Sequence, residues 1–171
     1  MASSKDTRDN GEARDALFRV KRGLCGYVSY LAACEMNQAF SEYVLYEPIL
    51  RILTARRFTV HCEYECPGIE QPSRGDKKRL DFYVIGQASR FALEVKWLKS
   101  NNLGISRDIE KLQAFRNCEP DALPLLLVFG RKSHLKPLNL KAKNFKEWGT
   151  AVYADLRRTK YGCRIFRLEK A

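Results

Sequence analysis

The sequence lacks the features of a membrane-embedded or exported protein. No apolar run is long enough to span a bilayer. The first residues, MASSKDTRDNGEARDA, contain no apolar stretch of the kind that a secretory signal needs. Six scattered cysteines are too few for a disulfide scaffold. We therefore expect a cytoplasmic protein with reduced thiols and no membrane partner.

The chain also has few residues that bind transition metals, with only two histidines among its 171 residues. His61, Cys62 and Cys66 lie close together in the sequence, but on a strand His61 points away from both cysteines. No second pair of ligands has the spacing of a zinc site. These cysteines are therefore interpreted as core thiols.

Internal repeats and low-complexity tracts are absent as well, and the length is that of one domain. Residues 1–15 are polar and of mixed charge, which predicts a mobile N-terminal segment. Residues 16–171 are predicted to form a single domain. Its core covers about residues 41–130, and residues 131–171 form a basic extension.

What the chain has in excess is positive charge. It contains 31 Lys and Arg residues against 20 Asp and Glu residues, a formal net charge of +11. Residues 131–171 hold 12 basic and 3 acidic side chains, whereas residues 61–130 hold 10 of each. A one-sided basic field attracts polyanions. Solubility alone, or attraction to an acidic protein or a membrane, is the alternative explanation.

Hydrophobic periodicity predicts an α/β order of elements. A helical pattern over residues 16–40 has a break at Gly23 and Gly26, and a stronger helical pattern follows. The later elements are a helix at 41–57 around Pro48, a strand at 58–66, a loop at 67–78, two strands within 79–98, a helix at 105–117, a buried strand at 122–130, part of a short helix at 145–148, a strand or helix end at 151–156 and a final strand at 163–168. This order predicts a central mixed sheet flanked by helices on both faces.

Residues 79–97, RLDFYVIGQASRFALEVKW, predict a β-hairpin that carries charges inside its strands. If the polar residues GQAS form a four-residue loop, a common hairpin length, Ile85 pairs with Arg90. Counting back from that pair places Asp81 directly opposite Glu94. A slip of one residue would destroy this register.

The predicted register separates apolar from charged side chains. Leu80 falls opposite Val95 on the apolar face, while Asp81, Glu94 and Lys96 lie together on the other face. Two facing carboxylates repel each other. A divalent cation with a preference for oxygen ligands, Mg²⁺ or Mn²⁺, would remove this repulsion. Lys96 points into the same space, where the lysine would orient or deprotonate a water molecule, or neutralise charge in a transition state.

Asp81, twelve further residues and then Glu94-Val95-Lys96 resemble the motif of the PD-(D/E)XK nuclease superfamily, which has the restriction-endonuclease-like fold. The resemblance covers roughly residues 41–130 and implies an αβββαβ core. It also implies that Asp81 and Glu94 hold Mg²⁺ together with the backbone carbonyl of Val95, and that Lys96 assists the attacking water. The family's proline before the aspartate is replaced here by leucine.

Many members of this family add an acid from the first core helix, and two residues of this chain are candidates. Glu42 and Glu47 are five positions apart, so on a helix they point about 140° apart and at most one faces the sheet. Glu42 lies on the apolar face of the helix and is preferred. A kink at Pro48 would reverse this assignment.

The helix after the motif supplies polar residues to the site in some members of the family. Lys111 and Gln113 are the candidates in this chain. Asp108, three residues before Lys111, is interpreted as one partner of a surface ion pair.

The resemblance implies a metal-dependent nuclease that hydrolyses phosphodiester bonds, with DNA preferred over RNA and a homodimer left open. Alternatives are an inactive nucleic-acid-binding domain of the same fold, a nuclease toxin or effector, a basic protein-interaction domain, or a plain salt bridge on a solvated sheet face. In the basic extension the predicted nucleic-acid contacts are Arg131, Lys132, Lys136, Lys141 and Lys143.

Overall fold

The computed structural model describes residues 4–36, 40–100, 103–156 and 158–169. No helix within these ranges combines the length and the apolar composition needed to cross a membrane. The elements in chain order are α1 (Ser4–Ala33), α2 (Tyr43–Ala55), β1 (Thr59–Glu65), β2 (Arg79–Ile85), β3 (Arg90–Leu98), α3 (Ser106–Cys118), β4 (Leu123–Arg131), α4 (Lys132–Leu135), a 3₁₀ turn (Lys141–Lys143), β5 (Phe145–Glu147), β6 (Val152–Leu156) and β7 (Thr159–Leu168).

Within the described residues, seven strands form one curled mixed sheet in the order β1-β2-β3-β4-β7, with β5 and β6 paired to the side of β7 opposite β4. The pair β3 and β4 is parallel and is connected by α3, whereas the other pairs are antiparallel. From α2 to β4 the order is helix, three strands, helix, strand. The predicted mixed α/β architecture is confirmed.

Side chains alternate between the two faces along each strand, so apolar side chains lie on both faces. Helices cover both of these apolar faces. Leu17 of α1 and Ile49 of α2 pack with Leu93 on one face. Leu112 of α3 packs with Leu126 on the other face. All five side chains are fully buried. Burial of side chains of this size stabilises the fold by about 1.5–3 kcal/mol each, relative to an exposed position.

Helix α1 runs without interruption through Gly23 and Gly26, so the predicted break is wrong. Gly23 faces α2, where an added Cβ would lie 2.3 Å from Cδ1 of Ile52. Gly26 has no atom within 4 Å of the same position. Gly23 therefore permits close packing of two helices, which sequence alone does not distinguish from a helix break.

The first fifteen residues, predicted to be mobile, are helical from the fourth onward, and residues 1–3 lie outside the described ranges. Ala13 is buried in the core. The carboxylate of Glu12 accepts hydrogen bonds from the β2–β3 loop, so the start of α1 holds this loop in place. The donors are the backbone N–H groups of Gln87 (3.2 Å) and Ala88 (2.9 Å) and the hydroxyl of Ser89 (2.8 Å).

Two strands differ from the sequence prediction. Residues 145–148, predicted to be part of a helix, contribute strand β5, because Phe145 pairs with Leu168 of β7. The strand predicted at 58–66 is present as β1, but it is largely exposed, and Cys62, interpreted from the sequence as a core thiol, lies at the surface. Since β1 lies at the edge of the sheet, few elements cover it.

Candidate active site

The β2–β3 hairpin has the predicted register over four residue pairs, from Ile85–Arg90 to Phe82–Leu93. The loop closes with a hydrogen bond from Gly86 N–H to the carbonyl of Ser89, at 2.7 Å. Four loop residues and alternating apolar positions are therefore sufficient to predict this pairing.

Beyond Phe82 the two strands separate, so the predicted pairs of Asp81 with Glu94 and of Leu80 with Val95 do not form. Leu80 packs instead in the cluster beneath α3. Opposite Asp81, the β1–β2 pairing skips Glu63, whose backbone is left-handed with a φ of 50°. This irregularity interrupts the strand alternation that the prediction assumed.

Two carboxylates occupy the edge of β3 where β2 has separated from it. The backbone N–H of Val95 donates to Oδ2 of Asp81 at 2.7 Å. The N–H of Trp97 donates to Oε1 of Glu42 at 3.1 Å. Buried backbone donors need partners, so these side chains replace the missing strand. They also fix both carboxylates beside Lys96, which lies between them on β3.

Glu94 is the most deeply buried acid of the candidate site, with 0% of its side chain exposed. Its Oε2 lies 2.6 Å from Nζ of Lys111, and its Oε1 has no hydrogen-bond partner among the described residues. Burial, followed by the nearby charge of Asp81, raises the pKa of Glu94 well above its usual range, although Lys111 opposes this. A carboxylate in this position favours an additional cation.

The pKa of Asp81 is raised as well, chiefly by burial. Hydrogen bonds from the hydroxyl of Tyr46 and from the N–H of Val95 oppose the shift. Asp81 and Glu94 are thus two desolvated carboxylates in one place. Pairs of this kind are concentrated at functional sites, although structural ion-pair networks produce them too.

Lys96 lies between two carboxylates, with Nζ 3.4 Å from Asp108 and 3.9 Å from Glu42. Burial lowers the pKa of Lys96, but the charges of Asp108, Glu42 and Asp81 outweigh it, so the pKa is raised overall. The side chain is therefore an ammonium ion at neutral pH. In this state it donates hydrogen bonds and neutralises charge rather than accepting a proton.

Helix α3 contributes a residue that sequence reasoning assigned to the surface. Asp108 is buried and contacts both Lys96 and Lys111, the latter at 3.5 Å. Lys111 lies at the site as predicted, whereas Gln113 is exposed. Residues two positions apart on a helix are rotated about 200° around its axis, so Lys111 and Gln113 cannot face the same site. The spacing of Asp108 from Leu112, at i+4, was a signal of its buried position.

Of the two acids considered on α2, the structure places Glu42 at the site. Glu42 contacts β3 through the N–H of Trp97 and through Lys96. Glu47 is exposed and forms an ion pair with Arg51 on the helix surface. Pro48 is accommodated inside a continuous helix and does not reverse the assignment.

The donors at the site fit Mg²⁺ better than zinc. Among the described residues, no three His, Cys, Asp or Glu side chains converge as a metal-binding group. Mg²⁺ does not require such a group, since it typically binds one or two carboxylates, several waters and substrate oxygens. The partnerless Oε1 of Glu94 and the adjacent Asp81 meet this requirement. The contribution of the Val95 carbonyl stays a prediction.

The predicted nucleic-acid contacts lie along and after the end of β4. Arg131, Lys136, Lys141 and Lys143 are exposed, and the ammonium of Lys132 lies 5.0 Å from the ring centre of Tyr153. A cleft of about 750 Å³ opens in this region. Its lining includes Lys136, Asn139, Lys141, Lys146, Arg164 and Phe166.

This basic cleft is on the same face of the sheet as the candidate site. Lys96 pairs with Val128 of β4, and Val128 pairs with Arg164 of β7. The backbones of Lys96 and Arg164 are thus separated by two strand spacings, roughly 10 Å. Arg164 is held in place by two hydrogen bonds to the carboxylate of Glu147, at 2.9 and 2.7 Å.

No protein-family model, curated protein or solved structure significantly matches this chain.

Proposed function

We propose that this protein is a Mg²⁺-dependent nuclease with a restriction-endonuclease-like fold, which cleaves DNA in preference to RNA. One observation carries the proposal. Asp81, Glu94 and Lys96, the three residues of the sequence motif, lie with Glu42 where β2 separates from β3. A separated hairpin that concentrates buried carboxylates beside a charged lysine reduces stability and is readily explained by catalysis.

Each residue has a defined role in the proposed reaction. The oxygen of a water molecule attacks phosphorus, the P–O bond to the leaving sugar oxygen breaks, the water loses a proton to solvent, and the leaving oxygen gains one. Mg²⁺ bound by Asp81 and Glu94 would lower the pKa of water and polarise the phosphoryl oxygen. Lys96 orients the water and stabilises negative charge on phosphoryl oxygens. Asp108 and Glu42 keep Lys96 protonated.

The basic cleft supports a nucleic-acid substrate. Lysines along its rim would contact phosphates on one side of the scissile bond, because the cleft begins two strands from Lys96 on the same face. Such contacts contribute affinity without sequence specificity, and they weaken as salt is added.

The proposal is tested by incubating the purified chain with labelled duplex, single-stranded and branched DNA and with RNA, with and without Mg²⁺ or Mn²⁺. We expect metal-dependent cleavage that falls about 100-fold or more in Glu94→Gln and in Lys96→Met. Glu110→Gln is the matched control, because Glu110 is an exposed acid on α3 that pairs with Lys78. Absence of cleavage with either metal, or equal cleavage by Glu94→Gln, would show that the protein is not this enzyme.

A second candidate function, an inactive nucleic-acid-binding domain of the same fold, is favoured by one contact. Lys111 lies 2.6 Å from Glu94 and already supplies a counter-charge to the buried carboxylate. An inactive domain would bind the same nucleic acids in a gel-shift assay, with or without Mg²⁺, and leave them uncut. Glu94→Gln would then bind as tightly as the wild type.

A further inference from the structure

A second cavity, of about 510 Å³, is lined by none of the residues of the candidate active site. It is formed between α1 and the turn before β6, and we call it the α1 cavity. Trp148 and the buried face of α1 belong to the core cluster beneath α1 and α2, whereas α3 packs on the other face. Residues lining the α1 cavity include Arg14, Asp15, Phe18, Lys21, Trp148 and Thr150.

Lys21 is the unusual residue of the α1 cavity, because only 3% of its surface is exposed. Its ammonium donates a hydrogen bond to the carbonyl of Thr150. Burial lowers the pKa of Lys21, the charges of Cys163 and Glu147 oppose this, and Arg14 lowers it further. The ammonium group has three donors, and a second cation lies nearby. This arrangement favours an anion in the cavity.

The remaining lining residues complete a site for an anion that carries a planar ring. The guanidinium of Arg14 lies 5.7 Å from the ring centre of Trp148. The ring of Phe18 is 40% exposed and lies 5.9 Å from the ammonium of Lys21. An exposed aromatic ring beside two cations offers a stacking surface and charge together.

The acid in the lining does not cancel this positive charge. The Oδ2 of Asp15 lies 3.1 Å from Arg19 and 2.5 Å from Arg56, so two further arginines neutralise it. The cavity volume is within the range of small-molecule sites.

We propose that the α1 cavity binds a nucleotide, with Lys21 and Arg14 holding the phosphate and Phe18 stacking on the base. The nucleotide comes either from solution, as a free mononucleotide, or from the phosphorylated end of a nucleic-acid strand. Both sources present the same phosphate and base. The site does not depend on the proposed nuclease activity, because the two sites share no lining residue.

Isothermal titration calorimetry of the full chain tests the proposal with adenosine monophosphate, adenosine and inorganic phosphate. We expect the mononucleotide to bind at least about tenfold more tightly than either fragment, because charge and stacking both contribute. Lys21→Met and Arg14→Gln should each weaken binding about tenfold or more. Arg14 is exposed, so its replacement keeps the test valid if Lys21→Met fails to fold.

Two controls separate this site from other basic surfaces and from the candidate active site. Arg51→Gln should change affinity by less than about twofold, because Arg51 pairs with Glu47 on the exposed surface of α2 and does not line the α1 cavity. Glu94→Gln should bind as the wild type does. Tetranucleotides with and without a 5′-phosphate identify the source: preference for the phosphorylated one supports a strand end, and binding of the mononucleotide alone supports a free nucleotide. Equal affinity of wild type and Arg14→Gln, or no binding of any phosphate-bearing probe, would overturn the proposal.

Discussion

Lys111 is expected to stabilise the protein because its charge favours the ionised form of Glu94, and Lys111→Met tests this directly. Lys111 is 14% exposed and Glu94 is fully buried, with 2.6 Å between Nζ and Oε2. Methionine retains the length of the side chain and removes the charge. Glu94 would then face Asp81 without its own counter-charge, so we expect it to take up a proton.

The free energy required to protonate Glu94 depends on pH and has an upper bound. The ordinary pKa of a glutamate is 4.5, and each pH unit above it adds about 1.4 kcal/mol to the cost of keeping the group neutral. The bound is therefore about 3.4 kcal/mol at pH 7 and about 0.7 kcal/mol at pH 5. Losing the hydrogen bond from Lys111 to the carbonyl of Arg79 adds roughly 1 kcal/mol at either pH.

The direction in which stability changes with pH follows from the raised pKa of Glu94. The native state binds this proton more tightly than the unfolded state, so its stability falls as the pH rises from about 4.5 through the folded pKa. Without Lys111 the folded pKa is higher still, and this fall continues to higher pH. The loss caused by Lys111→Met should therefore be larger at pH 7 than at pH 5, with upper bounds of about 4 kcal/mol and about 2 kcal/mol respectively.

Urea denaturation at both pH values, followed by circular dichroism, measures these free energies of unfolding. Lys78→Met is the matched control, because Lys78 pairs with Glu110 at 2.8 Å on the exposed surface. Its loss should stay below about 1 kcal/mol and change little between the two pH values. A loss in Lys111→Met that is equal at pH 5 and pH 7 would refute the reasoning about Glu94.

Two further predictions concern helix α1. Burial raises the pKa of Glu12, but hydrogen bonds from the β2–β3 loop outweigh it and lower the pKa overall. This stabilisation is present above about pH 4.5 and is lost as the pH falls through the folded pKa, so Glu12→Gln should cost about 1 kcal/mol at pH 7 and almost nothing near pH 2. If the stability of Glu12→Gln fell at low pH as steeply as that of the wild type, the prediction would be contradicted. Gly26→Ala should stabilise the protein by up to about 1 kcal/mol. Gly23→Ala should be about 1–2 kcal/mol less favourable than Gly26→Ala, because its Cβ displaces Ile52; equal melting curves of the two variants would exclude the contact.

Some of the fold could be predicted because it depends on neighbouring residues. The pairing of Ile85 with Arg90 follows from a four-residue loop between alternating strands. The buried strand β4 follows from a continuous apolar run. In both cases the pattern spans only a few consecutive residues.

Other features of the candidate site depend on elements distant in sequence. Asp108 and Lys111 look like a surface ion pair until α3 packs on the sheet and turns both toward Glu94. Leu80 packs beneath α3, next to the point where Glu63 on the neighbouring strand has a left-handed backbone. Neither feature produces a hydrophobic period in the local sequence, so neither could be predicted from it.

The sequence by itself determined that an aspartate, a glutamate and a lysine lie near the end of one hairpin, because strand alternation and loop length are local properties. The tertiary structure decided which other side chains meet them. It placed Glu42 on the edge of β3 and Lys111 against Glu94, and it left Gln113 in solvent. These contacts join helices to the sheet, and the rotation of a helix about its axis is set by packing against distant strands.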